Sequence, residues 1–265
     1  MIKLIATDMD GTFLRDDMSY DRLHFSKLYT EMQRQGVHFV VASGNQYFQL
    51  KSFFEDYPDT IYVAENGAYI LDEKQVYALH AFSSLAVKQI LPKLIEIPEL
   101  KILVCGQKCA YARASEGEAH IQFVHRYYHQ LTVVEDFDHI DDNVLKFAIT
   151  CPPELTEDIV ARLRIMLIGL AEPTSSGHGD IDVIQLGMNK AAGLRELGTV
   201  LGIALSEMCA FGDGGNDLEM IREVGLGVSM QNAQPAVTAV AKAKTTDNQS
   251  QGVLSFIDQL LEKQF

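Results

Sequence analysis

The chain has 265 residues, 47% of them hydrophobic and 22% charged, and its 22 Lys and Arg face 36 Asp and Glu for a net charge of −14. That length admits one large core or two smaller ones, the apolar content excludes a disordered chain, and the acidic field disfavours nucleic acid, an anionic membrane and any anionic metabolite that meets no cation in its site. Every apolar run is far shorter than the roughly 20 residues of a membrane helix, and the sequence enters a strand with no basic leader, so a cytoplasmic protein acting on small molecules is expected.

In chain order, the first element is an apolar strand that ends in Asp8-Met9-Asp10-Gly11-Thr12-Phe13-Leu14. Residues just past the carboxyl end of a strand in a parallel α/β sheet face the ligand crevice, and two carboxylates there can hold a hard cation. Tyr20 to Gln35 is a predicted amphipathic helix ended by Gly36, and Val37 to Ala42 is a strand buried on both faces that terminates in Ser43-Gly44-Asn45. A helix from Gln46 to Phe54 follows, with Asn45 read first as its amino cap, and then a strand, Ile61 to Ala64, tipped by Glu65-Asn66-Gly67. Three strands with polar tips, joined by helices, predict a Rossmann-like doubly wound parallel sheet.

The rhythm changes after a small hairpin, Tyr69 to Leu71 and Val76 to Ala78. Residues 83–181 read as strands with intervening helices, an α+β domain inserted between core segments 1–82 and 182–265. Within it, His125 and His129 have helical spacing but no third ligand, and Phe123, Tyr127 and Tyr128 read first as cap packing and second as the lining of a pocket. The sheet pattern resumes with a helix opening at Asn189-Lys190, a buried strand, Met208 to Phe211, and the tip Gly212-Asp213-Gly214-Gly215-Asn216-Asp217. A short helix, a strand and two helices complete the chain. Cys105, Cys109, Cys151 and Cys209 lack a zinc spacing and read as buried thiols of a reducing compartment.

Asp8 with Asp10, Ser43, Lys190, and Asp213 with Asp217 thus fall at element ends of one predicted sheet. Clustered carboxylates need a cation, whereas a lysine and a hydroxyl suit phosphate oxygens, so together they describe magnesium-assisted phosphoryl transfer.

These segments resemble the four motifs of the haloacid dehalogenase superfamily. The order of motifs around an α/β insertion is similar to that of the Cof-type phosphatases with a C2-type cap, and Ala42-Ser43-Gly44-Asn45 looks most like the sugar-phosphate phosphatases among them. The resemblance implies Asp8 as nucleophile, Asp10 as general acid and base, and Mg2+ held by Asp8, Asp213, Asp217 and the backbone carbonyl of Asp10. It further implies phosphate binding by Ser43, Gly44, Lys190 and Asn216, although an Asn-Asp pair is also a common helix start. Many relatives carry an arginine at the position of Asn45, so a second cationic phosphate clamp is not expected there.

The inserted domain would act as a lid and select the substrate, with Asn45, Glu65, Asn66, His178 and Asp180 as candidate contacts for sugar hydroxyls. The expected function is hydrolysis of small phosphorylated metabolites, foremost sugar phosphates, through an aspartyl phosphate. The alternatives are a sugar phosphomutase on the same scaffold and a non-enzymatic, phosphorylatable magnesium-binding interaction module.

Overall fold

The structure, a computed structural model, describes residues 1–177 and 179–263. Its first segment contains β1 (Leu4–Thr7), α1 (Arg22–Gln35), β2 (His38–Ala42), α2 (Tyr47–Ser52), β3 (Ile61–Ala64), β4 (Tyr69–Leu71) and β5 (Val76–Leu79). The inserted cap follows with α3 (Ser84–Ile95), β6 (Lys101–Gly106), β7 (Ala110–Arg113), α4 (Glu118–Val124), β8 (Leu131–Val134), β9 (Val144–Thr150), α5 (Thr156–Met166), β10 (Glu172–Gly177) and β11 (Asp180–Ile184). The chain then returns to the core through α6 (Lys190–Leu201), β12 (Met208–Gly212), α7 (Leu218–Glu223), β13 (Leu226–Ser229), α8 (Pro235–Val240), β14 (Ala243–Lys244) and α9 (Gly252–Lys263).

The core sheet has the order β14-β13-β12-β1-β2-β3-β4-β5. Pairing is parallel from β14 to β3, and the β4–β5 hairpin adds an antiparallel edge. The sheet grows outward from β1 through β2 and β3, then in the other direction from β12 through β13, so the order reverses between β1 and β12. That reversal is where an open α/β sheet leaves a crevice at its carboxyl edge.

The central strands are buried on both faces because helices cover both. Ile5 packs in a cluster with residues of α1 and α9, whereas its neighbours Leu4 and Ala6 pack in another with residues of α6, α7 and α8. Asp21 starts α1 by accepting from the His24 amide at 2.9 Å, and Gly36 ends it at φ 68°, a left-handed cap that glycine takes without strain. Phe13 anchors the turn after β1, its ring 5.0 to 5.9 Å from those of Tyr20, Phe25, Phe39 and Phe54. Such ring pairs add about 0.5–1.5 kcal/mol each beyond their burial, which fixes the turn that carries the first two aspartates.

The cap sheet has the order β10-β11-β9-β6-β7-β8 and is antiparallel except where β7 meets β8. Phe147 and Ile149 of β9 and Ile181 and Val183 of β11 pack with residues of α3 and α5. The alternate residues, Lys146, Ala148 and Thr150 of β9 with Asp182 of β11, line the space above the core crevice. The strands β7 and β14 were not predicted, since β14 has two residues and β7 is a four-residue alternation, Ala110 to Arg113, too short to stand out from its loop.

Candidate active site

The reversal point of the core sheet carries the carboxylates. Asp8 follows β1, and its amide donates to the Phe211 carbonyl of β12 at 3.0 Å, so it sits beside the tip that carries Asp213. Met9 to Phe13 make a tight turn in which Gly11 has φ 72°. A Cβ on Gly11 would lie 2.6 Å from Asp213 Oδ2, so both backbone conformation and close approach demand glycine there. Thr12 Oγ1 donates to Asp213 Oδ1 at 2.6 Å and ties the two tips together.

Lys190 is the first residue of α6, whose cap Asn189 accepts from the Ala192 amide at 2.8 Å. The lysine is 1% exposed, and its Nζ lies 2.7 Å from Asp8 Oδ1 and 2.6 Å from Asp217 Oδ1. Asp217 Oδ2 accepts from the amides of Asp213 and Gly214 at 2.9 and 3.0 Å, so this carboxylate braces both the lysine and the glycine-rich tip. Burial opposes the charge of Lys190, but Asp217 and Asp8 outweigh it and hold the ammonium pKa above the ordinary value.

The carboxylates are short of positive charge. Burial, then the neighbouring Asp217, push the Asp8 carboxyl up despite Lys190, and the same two causes push Asp213 up to about 6. Oxygens of Asp8, Asp213 and Asp217 lie within 4.8 Å of one another. An all-oxygen donor set with excess negative charge fits a hard divalent cation, which would relieve that repulsion.

A cavity of about 390 Å³ opens between this edge and the cap, lined on the core side by Asp8, Asp10, Ser43, Gly44, Asn45, Asp213 and Asn216. Ser43 Oγ accepts from the Asn45 amide at 3.1 Å, which leaves its own hydroxyl proton for a ligand. Asp10 is open to the cavity yet crowded by its walls, and the loss of bulk solvent raises its carboxyl pKa. Asn45 Nδ2 donates to Asp10 Oδ2 at 2.6 Å. This corrects the helix-cap expectation: α2 begins one residue later, with Gln46 at its cap, because the Asn45 side chain is committed to the aspartate.

The other candidates separate. Asp180 and Asn216 line the cavity, as do Phe123, Tyr127 and Tyr128, the second of the two roles the sequence offers these aromatics. Glu65 and Asn66 are 2% and 1% exposed and lie behind the cavity wall rather than in it. Glu65 Oε2 is 3.3 Å from Lys146 Nζ, and Asn66 Nδ2 donates to Asp182 Oδ2 at 2.6 Å. His178 lies outside the described residues. His125 and His129 are exposed, and among the described residues neither belongs to a metal-type cluster. Lys146 and Asp182 line the cavity without having been predicted. Their signal was a charged residue at an alternate position of an apolar strand, Lys146 within Val144 to Ile149 and Asp182 between Ile181 and Val183.

Comparison with known proteins agrees with this geometry. Residues 5–257 match the haloacid dehalogenase-like hydrolase family. The Escherichia coli (strain K12) 5-amino-6-(5-phospho-D-ribitylamino)uracil phosphatase YbjI is 41% identical over 262 residues, covering 98% of this chain and 97% of that protein. The Bacillus subtilis (strain 168) phosphatase YitU, named for the same substrate, is 26% identical over 278 residues, with 96% of each chain covered. The crystal structure of SMU.1108c from Streptococcus mutans UA159 superposes with a TM-score of 0.94 at 31% identity, covering 99% of this chain and 100% of that one. The chain therefore belongs to the haloacid dehalogenase-like hydrolases, in their Cof-type phosphatase branch.

Proposed function

We propose that the chain is a magnesium-dependent phosphatase of small phosphorylated polyols, either sugar phosphates or the phosphorylated ribityl chain of 5-amino-6-(5-phospho-D-ribitylamino)uracil. The observation that carries this reading is the cavity in which Asp8, Asp10 and Ser43 face a cap wall of both aromatic and polar residues. Tyr127, Tyr128 and Phe123 offer flat apolar surface for a ring, while Asp180, Asp182 and Thr150 offer oxygens to hydroxyls. The names of the E. coli and B. subtilis relatives supply the uracil candidate.

In this mechanism an Asp8 oxygen attacks phosphorus as the bond to the leaving oxygen breaks, and Asp10 passes its proton to that oxygen. Burial raises the Asp10 pKa and so favours the protonated form that this step uses. The resulting Asp10 carboxylate then takes a proton from the water that attacks the aspartyl phosphate, which releases phosphate and restores Asp8. Ser43, the Gly44 backbone and Asn216 hold the phosphoryl oxygens, and Lys190 stabilises the charge that develops on them. Asp8, Asp213 and the Asp10 carbonyl would hold Mg2+, with Asp217 fixing Lys190 and the tip beside it. When bound, the ion supplies charge neutralisation between nucleophile and phosphate.

The division into a discontinuous core and an inserted cap belongs to the same reading, with the second boundary moved from 181 to Ile184 because β11 pairs with β9 and β10 of the cap sheet. The four free thiols support a cytoplasmic setting. The test is a phosphate-release screen, with and without magnesium, over 5-amino-6-(5-phospho-D-ribitylamino)uracil, sugar phosphates and nucleotides. Release of inorganic phosphate from a polyol ester is expected. Isomer conversion without release, or silence across the whole set, would overturn the assignment.

A further inference from the structure

The loop that carries Ser43 and Asn45 is held from behind by groups outside it. The Ser43 carbonyl accepts from the Asn66 amide at 3.0 Å, and the Asn45 carbonyl accepts from the Glu65 amide at 3.3 Å, both within the core. The carbonyl between them, that of Gly44, accepts at 2.6 Å from Nζ of Lys146, which comes from β9 of the cap. Lys146 is 2% exposed. Its other partners are Asp182 of the cap, with both carboxylate oxygens at 3.1 Å, Glu65 of the core at 3.3 Å, and the face of the Tyr128 ring at 5.8 Å. A Cβ on Gly44 would lie 3.0 Å from Asp182 Oδ2 and 3.2 Å from the Asn66 side-chain amide, so a side chain there would push both of these groups back from the loop.

The planar peptide joining Gly44 to Asn45 is consequently clamped at both ends. Its carbonyl meets Lys146, and its N–H meets Ser43 Oγ. Fixing that plane fixes where the Asn45 side chain starts, and that side chain ends on Asp10 Oδ2 at 2.6 Å. A continuous line of contacts therefore runs from a cap lysine to the carboxyl read above as the proton donor. A buried lysine is costly unless its partners are in place, and two of these, the Gly44 carbonyl and Glu65, belong to the core. The contact set is complete only while the cap sheet is seated over the cleft.

We propose that Lys146 is a positioning residue for proton transfer: by holding the Gly44 carbonyl from the cap, it sets Asn45 and through it the carboxyl of Asp10, so that seating the cap completes the acid. The inference rests on the reading of Asp10 as general acid. Burial opposes the charge of Lys146, but Asp182, Tyr128 and Glu65 outweigh it, so the residue stays an ammonium donor throughout the working pH range.

The test compares two esters without sugar hydroxyls that differ in their need for a proton. Phenolate leaves phosphorus poorly unless protonated, whereas p-nitrophenolate leaves readily without help. For Lys146→Met, kcat/KM, which reports steps up to formation of the aspartyl phosphate, should fall about tenfold or more further with phenyl phosphate than with p-nitrophenyl phosphate, a fraction of the 10²–10⁴-fold that general acid catalysis supplies. Lys146→Met combined with Glu65→Gln removes the buried carboxylate left unpaired, since Asp182 keeps its hydrogen bond from Asn66, and it should show the same selectivity in a folded protein. Equal losses on both esters in this double variant would mark Lys146 as structural and overturn the proposal. No loss on either ester, with a loss confined to polyol phosphates, would make it a substrate contact and also overturn it. Failure of the unsubstituted chain to release phosphate from both esters and from every polyol phosphate would instead overturn the phosphatase reading on which the proposal rests.

Discussion

Two buried lysines stand on opposite walls of one cleft, and each is ringed by carboxylates. Lys190 and its partners Asp8 and Asp217 all belong to the core, on α6 and on the tips of β1 and β12. Lys146 divides its partners between Asp182 in the cap and Glu65 with the Gly44 carbonyl in the core. The first arrangement is therefore built whenever the core folds, whereas the second also requires the cap in place. In the proposed mechanism, the charge that acts on the phosphoryl group is thus preorganised, which spares reorganisation during the reaction. Charge that links the cap to the phosphate loop is conditional, and a conditional contact can report that the lid is seated.

The sharpest way to break this contrast is at the core cluster. Asp8→Asn should lower turnover by roughly five to six orders of magnitude, the scale seen when a covalent nucleophile is removed, as followed by phosphate release. Without added metal its melting temperature should nevertheless hold or rise, because one of three crowded carboxylates loses its charge and Lys190 keeps Asp217. A large fall in melting temperature with activity retained would reverse the roles given to this residue. Lys190→Met should cost about 10²–10³ in kcat/KM, or about 2.7–4 kcal/mol, on every ester regardless of leaving group. That uniform loss is the counterpart of the leaving-group-selective loss expected at Lys146.

The sequence disclosed the core cluster far better than the cap junction, for a physical reason. Asp8, Asp10, Lys190, Asp213 and Asp217 lie at the ends of elements, where an apolar run stops and polar residues begin, so the change of pattern marks them. Lys146 and Asp182 lie inside strands, at alternate positions of runs that read as buried, and only the cavity shows which way those positions face. Glu65 and Asn66 were visible as a strand tip but were expected to meet the ligand. Their positive φ values of 52° and 55° turn them back toward the cap lysine and Asp182 instead. Asn45 was misread because an Asn ahead of a helix is a common cap, and nothing local shows that Asp10 competes for its amide.

Glu65 gives a smaller test, confined to the junction. Burial pushes its carboxyl from the ordinary 4.5 up to about 7, against the attraction of Lys146 and with the repulsion of Asp182. Because the folded protein holds this proton more tightly than the unfolded chain, the group favours folding below about 4.5, and that contribution is lost as pH rises through about 7. At about 1.36 kcal/mol per pKa unit the loss reaches about 3 kcal/mol. Glu65→Gln should abolish it, so urea midpoints of the variant measured from pH 5 to pH 8 should gain on the parent chain across this window. Parallel curves would mean that Lys146 keeps Glu65 ionised throughout, making the junction as fully paired as the core cluster.

The smallest expected effect asks whether the cap lysine and the core acid communicate along the proposed line. Asn45→Ala removes the hydrogen bond to Asp10, and Lys146→Met removes the clamp on the peptide that presents Asn45. If the lysine acts through Asn45, the second substitution has little left to disturb once the first is made. The double variant should then lose less kcat/KM on phenyl phosphate than the two single losses predict, by a coupling of about 1 kcal/mol, within the range found for residues in one hydrogen-bond network. With p-nitrophenyl phosphate, whose leaving group needs no proton, the same cycle should close near zero. Additive losses on both esters would mean that Lys146 and Asn45 serve the site independently, and the cap would then be a lid that covers the acid without setting it.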